Sequence, residues 1–263
     1  MASTLLVHDI RGVLFDWGDT LVHPPGLTTD AAGHYGCVEA FFAEDLPEKF
    51  PISGRMTSAI WPTFRDHYGT VAQGQIEGTL RTGREHSFQE RLARTLGLTF
   101  PSGAAPSASE LDWMAGRLAA RIAAQCCQIK DAEHVLPQLR RRFQVGLLSN
   151  YPHASAVHAS LERFGLVAHL DMVAVSVEIG WAKPDPRAFT HAIDRMGLAP
   201  EQVLYVGDDL VNDMQGAKAF GMQTAWLPRQ GQREGDPSID VTLTELADLV
   251  DLLGTVAREV QNR

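Results

Sequence analysis

Five residues have the types and positions to do chemistry together: Asp16, Ser149, Lys183, Asp208 and Asp213. Asp16 ends the run "GVLFD", Ser149 lies in "VGLLSN" and Asp208 in "QVLYVGDD". Each run reads as a short buried strand that delivers a polar side chain to a loop. Lys183 and Asp213 stand beside those strand ends, in a loop and at a helix start. Carboxylates brought together repel one another unless a cation sits among them, and oxygen ligands favour Mg²⁺. A lysine beside such a cluster makes sense if an anionic substrate oxygen lies between them. A phosphoryl group supplies such oxygens.

The elements that must position these residues follow from periodicity. "VGLLSN" (Val145 to Asn150) reads as a strand, followed by a helix from Pro152 to Phe164 that Gly165 closes. A second strand spans Met172 to Val177. Asp185 then caps a helix with Pro186 at its first position, and Gly197 ends it. "QVLYVGDD" is a third strand, Asn212 to Phe220 a helix closed by Gly221, and "QTAWL" a fourth strand. With "GVLFD" this predicts at least five parallel strands with helices on both faces, an α/β class with a Rossmann-like core. In such sheets ligands bind at the carboxyl ends of the strands, where Asp16, Ser149 and Asp208 fall.

Between Thr20 and about Asp131 the alternation gives way to helical patterns: "EAFFAEDL", "MTSAIWPTFRDHYG", "SFQERLARTLG" and "ASELDWMAGRLAARIAAQ". Ser87 with Glu90 and Ser107 with Glu110 have capping-box spacing. The expected division is a catalytic core of residues 1–20 and 131–263 and an inserted helical domain over 21–130. "LTELADLVDLLGTVAREV" reads as an amphipathic helix covering the core. "PRQGQREGDPS", Pro228 to Ser238, reads as a mobile loop.

The series "FDWGDTL", "LLSN", "AKPDP" and "VGDDLVNDMQGAKAFGM" resembles the four ordered motifs of the haloacid dehalogenase superfamily. The insert resembles that superfamily's helical cap. The resemblance implies a Mg²⁺-dependent phosphatase acting on a small phosphorylated metabolite. Asp16 would be the nucleophile and form an aspartyl-phosphate. Ser149 would hydrogen-bond a phosphoryl oxygen, with Asn150 beside it in the substrate site. Lys183 would offset the charge shared by substrate and nucleophile. Mg²⁺ would be held by Asp16, the carbonyl of Gly18, Asp208 and Asp213, with Asp209 an alternative to Asp213.

The departure lies at Gly18. Most phosphatases of this superfamily carry an aspartate there that protonates the leaving group. Asp19 is then either a substitute acid or a turn residue bonding nearby backbone. His23, where the chain enters the cap, is the first candidate for a substrate contact from that side. Arg55, Arg65, Arg81, Arg84, His34, His67 and His86 also lie in the insert, each more often a solvated side chain. Trp61 and Trp113 read as packing residues, and Trp17 as packing or as a wall of the site.

Three rival activities arise from the same motifs. The founding dehalogenases lack the acid pair that Asp208 and Asp213 supply here, which disfavours dehalogenation. Phosphonoacetaldehyde hydrolases carry "DWAGT", close to "DWGDT", and need a cap lysine for a Schiff base. Lys49 is the candidate for that lysine, though "LPEKFP" does not resemble that family's segment. The third rival, which Gly18 makes possible, is a catalytically silent phosphate-binding protein.

Composition narrows the classes further. The 263 residues suffice for a large core, with 44% hydrophobic and 21% charged residues. A net charge of -9 argues against nucleic acid as a partner. No apolar run reaches the length of a membrane span, and "MASTLLVHDIRG" is too short and polar for a signal peptide. Cys37, Cys126 and Cys127 read as reduced small hydrophobes. The expectation is a cytoplasmic enzyme without nucleic-acid or membrane partners, its oligomeric state left open.

Overall fold

The structure is a computed structural model that describes residues 9–25, 31–46, 59–101, 105–229 and 235–261. Its strands are β1 (Gly12–Phe15), β2 (Val22–His23), β3 (Cys127–Gln128), β4 (Gln144–Ser149), β5 (Met172–Val175), β6 (Val203–Gly207), β7 (Gln223–Trp226) and β8 (Val241–Thr242). Six of them form one sheet in the order β5-β4-β1-β6-β7-β8, every pair parallel. β2 and β3 form a separate antiparallel pair.

Alternation along the central strands sorts their side chains onto two faces. Val13, Phe15, Val145, Leu147, Leu204 and Val206 enter one hydrophobic cluster. Leu14, Leu148, Val203 and Tyr205 enter the other. Each large apolar side chain so buried contributes about 1.5–3 kcal/mol. A sheet covered on both faces must be crossed by helices, and these are what the chain supplies.

The helices are α1 (Ala31–Ala40), α2 (Trp61–Thr82), α3 (Phe88–Thr99), α4 (Ala108–Gln125), α5 (Ala132–Arg140), α6 (Ala154–Arg163), the single turn α7 (Ser176–Ile179), α8 (Pro186–Met196), α9 (Gly216–Phe220) and α10 (Asp248–Gln261). α1 runs on into a wider turn at Phe41–Asp45, and α9 is preceded by another at Leu210–Gln215. Ser87 and Ser107 each form the full capping box with Glu90 and Glu110. Asp185 caps α8 by accepting from the Arg187 N–H, Pro186 sits in its first turn and Gly197 closes it in a left-handed conformation. The four helices α1–α4 lie between β2 and β3, so the antiparallel pair joins the start and end of the helical segment.

Several boundaries differ from the sequence reading for local reasons. The strand expected to reach Val177 stops at Val175, because Ser176 turns its hydroxyl to the Tyr151 N–H at 2.9 Å and opens α7. The helix expected from Asn212 starts at Leu210, because Asp209 accepts from the N–H groups of Val211 and Asn212. β8 is only two residues long, too short to show a period. Cys126 ends α4 and Cys127 lies in β3. All three cysteines are free thiols. No described helix is long and apolar enough to cross a membrane.

Candidate active site

Asp16 follows β1 directly, and its N–H donates to Val206 O on the neighbouring β6 at 2.9 Å. Asp208 follows β6, and Ser149 closes β4. Parallel pairing therefore places all three side by side at the carboxyl edge of the sheet. Carboxylate oxygens of Asp16, Asp208 and Asp213 lie within 4.8 Å of one another, and all three residues are buried.

Asp213 reaches that edge through helix geometry. It lies four residues after the cap Asp209, in the wide turn Leu210–Gln215, and its Oδ2 accepts from the Asp209 N–H at 3.0 Å. Gly207 makes room for it. A Cβ at Gly207 would stand 2.6 Å from Asp213 Cγ, closer than real Cβ contacts allow. Asp209 spends its own carboxylate on the helix N-terminus, so Asp213 joins Asp16 and Asp208 and Asp209 does not.

Lys183 ties the carboxylates together. Its Nζ donates to Asp16 Oδ1 at 2.6 Å, to Asp213 Oδ1 at 2.7 Å and to the Tyr205 hydroxyl at 2.7 Å. Its side chain is 1% exposed. Asn150 fixes the backbone below it: the amide oxygen accepts from the Lys183 N–H and the amide nitrogen donates to Lys183 O, both at 2.8 Å. Both ends of Asn150 are thus spent on holding the Lys183 loop rather than on space a substrate could fill.

Burial sets the protonation of this cluster. Burial pushes Asp16 up to about 7, with Lys183 pulling against it and Asp213 adding to the rise. Burial likewise lifts Asp208 to about 8, helped by Asp16 and Asp213 and opposed by Arg229. Burial alone would lower Lys183, but Asp16 and Asp213 outweigh it and hold the ammonium charged. Tyr205 is held well above its ordinary value by burial and by Asp213 and Asp16, so its hydroxyl stays protonated. Among the described residues, one buried ammonium and the partly exposed Arg229 guanidinium face three buried carboxylates, which leaves the set short of positive charge. Its buried oxygens and missing charge suit a hard divalent cation.

Gly18 is buried and bridges to Val22. Asp19 beside it adopts φ 55°, a left-handed conformation that aspartate tolerates better than most residues. Its N–H donates to Val22 O at 2.7 Å, and its side chain, 4% exposed, meets His23 Nδ1 at 2.7 Å. His23 is 57% exposed on β2. Trp17 points away: its Nε1 donates to Ser160 Oγ at 3.0 Å and its ring packs edge-on against Tyr151.

Among the other insert residues, Arg65 pairs with Asp66, His67 with Thr99 and His86 with Glu90. Trp61 packs on Phe42 and Phe64. Trp113 packs, half-buried, against the larger cluster. Lys49, Arg55 and the side chain of His34 fall outside the described residues.

Three features had little sequence signal. Tyr205, a lone hydroxyl in the aliphatic run "VLYVG", bridges Lys183, Asp213 and Leu148 O. Arg229, in the segment read as a mobile loop, places its Nε on Asp208 Oδ2 and its Nη2 3.4 Å from Asp19 Oδ2. The connection between α2 and α3 lies across the Lys183 loop. Ala182 N–H donates to Gly83 O at 2.8 Å, Glu85 N–H to Gly180 O at 3.1 Å, and Ser176 Oγ meets Glu85 Oε2 at 2.5 Å. Gly83 permits this approach with φ 72°, and a Cβ there would collide with Asp185 Oδ2.

A family model for haloacid dehalogenase-like hydrolases matches residues 10–221. Phosphoserine phosphatase of Thermus thermophilus is 37% identical over 123 residues, covering 45% of this chain and 48% of that protein. The chain spans about half the length of the curated relatives it matches. Among solved structures, 2-haloacid dehalogenase of Pseudomonas syringae shares the fold at TM-score 0.67 and 20% identity, covering 94% of this chain and 99% of that one. A HAD-hydrolase from Bacillus subtilis bound to magnesium does so at TM-score 0.58 and 18% identity, covering 93% and 98%. With 10–221 matched, the chain belongs to the haloacid dehalogenase-like hydrolases.

Proposed function

We propose that this hydrolase is a Mg²⁺-dependent phosphatase of a small phosphorylated metabolite. The observation that carries the reading is the convergence of Asp16, Asp208 and Asp213 within 4.8 Å, with Lys183 on two of them. Phosphatases among the curated relatives support the same substrate class. Asp208 Oδ2 is buried without an aligned hydrogen bond and faces the Arg229 guanidinium, which fits an oxygen suited to a cation. Asp16, the Gly18 carbonyl, Asp208 and Asp213 would hold Mg²⁺, whose charge offsets that of the phosphoryl oxygens.

The chain's own residues divide the remaining work. Asp16 attacks phosphorus, forming the Asp16 O–P bond as the bond to the leaving oxygen breaks. Water then attacks the aspartyl-phosphate, releasing phosphate and restoring Asp16. Ser149 donates to a phosphoryl oxygen, and Lys183 neutralises charge on Asp16 and the transferring group. Asn150 acts as a positioning residue through the Lys183 backbone. With glycine at position 18, the proton for the leaving group comes from the Asp19–His23 pair. Residues 21–130 act as the cap, hinged at the β2–β3 pair. We place the enzyme in the cytoplasm.

The test is phosphate release from a panel of phosphorylated metabolites, with Mg²⁺ and with chelator. Wild type releases phosphate from at least one compound only with the metal, and Asp16→Asn releases none. Full activity in Asp16→Asn, or after chelation, rejects the mechanism. Borohydride trapping with an aldehyde substrate would instead reveal Schiff-base chemistry at Lys49.

A further inference from the structure

We infer that Arg229 is the resident counter-cation of Asp208 and that a divalent cation has to displace it to bind. The inference rests on the proposed divalent site. Four acidic residues, Asp16, Asp19, Asp208 and Asp213, are buried at this sheet edge. Lys183 serves Asp16 and Asp213 and leaves the other two. Asp19 has His23 on Oδ1. Asp208 Oδ1 has a long 3.5 Å contact from the Thr20 hydroxyl. Among the described residues, the cation on the remaining oxygens is Arg229, whose Nε touches Asp208 Oδ2 while Nη2 stands 3.4 Å from Asp19 Oδ2.

Two features make this contact exchangeable. Neither Asp208 Oδ2 nor Asp19 Oδ2 receives an aligned hydrogen bond, so the attraction is charge without the directional fork that usually fixes arginine on carboxylate. Arg229 is also 34% exposed and follows β7 in a loop, so its side chain has solvent to move into. A metal drawing on Asp208 would share one carboxylate with a guanidinium already on it. Two cations on one carboxylate repel each other, and the divalent ion, which also draws on Asp16 and Asp213, has the larger attraction. By linkage, whatever Arg229 gains from Asp208 is subtracted from metal affinity.

The experiment is calorimetric titration of MgCl₂ into the chelator-stripped full chain, without substrate. Wild type, Arg229→Gln and Arg229→Lys are compared at pH 7 and pH 9, the higher pH removing proton competition. Arg229→Gln is expected to bind Mg²⁺ about fivefold or more tightly than wild type at pH 9, the lower end of ordinary coupling. Arg229→Lys, which keeps the charge, is expected to stay nearer wild type. A variant-free readout accompanies these. The ¹⁵N resonance of Arg229 Nε in wild type, assigned by its loss in Arg229→Lys, should move on Mg²⁺ saturation. Unchanged or weaker binding in Arg229→Gln, or an unmoved Nε resonance, overturns the inference. If wild type nonetheless binds Mg²⁺ and releases phosphate, the phosphatase reading stands alone. If no protein binds Mg²⁺, both fall.

Discussion

Lys183→Met offers the sharpest test of the charge arrangement, and it needs no substrate. The wild-type ammonium is 1% exposed and donates to Asp16, Asp213 and Tyr205. Methionine fills similar volume, so packing changes little. What remains is two buried carboxylates without their shared cation. Breaking a buried ion pair from one side typically costs about 3–5 kcal/mol. For a chain of this size that is a fall in Tm of roughly 10 °C. Asp16 can escape the penalty by taking up a proton, since burial already holds it near 7. The loss should therefore be smaller at pH 5.5 than at pH 8.5. Urea unfolding of chelator-treated protein at both pH values measures it. Adding Asp213→Asn to Lys183→Met removes one stranded charge and should recover part of the loss, a coupling that a double-mutant cycle isolates. A loss under about 1 kcal/mol at pH 8.5 would refute the arrangement, and so would an equal loss at both pH values.

Two further outcomes follow from the same site. Asp16 and Asp208 are raised in the folded protein, to about 7 and about 8, so the stability their protonation lends is full below roughly pH 4 and lost as pH rises through 7 to 8. Added Mg²⁺ should then raise Tm more at pH 8.5 than at pH 5.5, and a shift independent of pH in thermal melts would count against a carboxylate site. Asp19→Asn should lower kcat/KM on alkyl phosphates by about a hundredfold or more while sparing aryl phosphates, as loss of acid catalysis requires. Equal effects across leaving groups, read in steady-state assays, would return Asp19 to the status of a turn residue.

The parts of this molecule legible in sequence are those that chemistry repeats along the chain. Continuous apolar runs mark β1, β4 and β6 because a sheet covered on both faces needs apolar side chains on each. The serine caps of α3 and α4 are visible because the capping box is a contact between residues three apart. Asp16, Ser149 and Asp208 are legible for a different reason: topology forces the carboxyl ends of parallel neighbours together. Contacts between distant residues carry no such local trace. Tyr205 reads as one more core residue, because its function lies in where its hydroxyl ends, beside Lys183.

Position 18 shows how far a motif determines mechanism. The backbone around it is held firmly: Asp16 hydrogen-bonds β6, and Asp19 and Val22 close a tight turn through Trp17 O and Val22 O. That turn carries the Asp19 carboxylate, buried, to His23 and toward Arg229. A carboxylate is thus still present close to Asp16, displaced by one residue and turned toward the side where the helical segment enters. Its partners are an imidazole and a guanidinium, both more exposed than itself. An aspartate at position 18 would carry its own proton. Asp19 instead meets an imidazole on β2 that is open to solvent. The carboxylate next to Gly18 is thus tied to His23 by a hydrogen bond that spans four residues, and only the folded turn makes that bond visible.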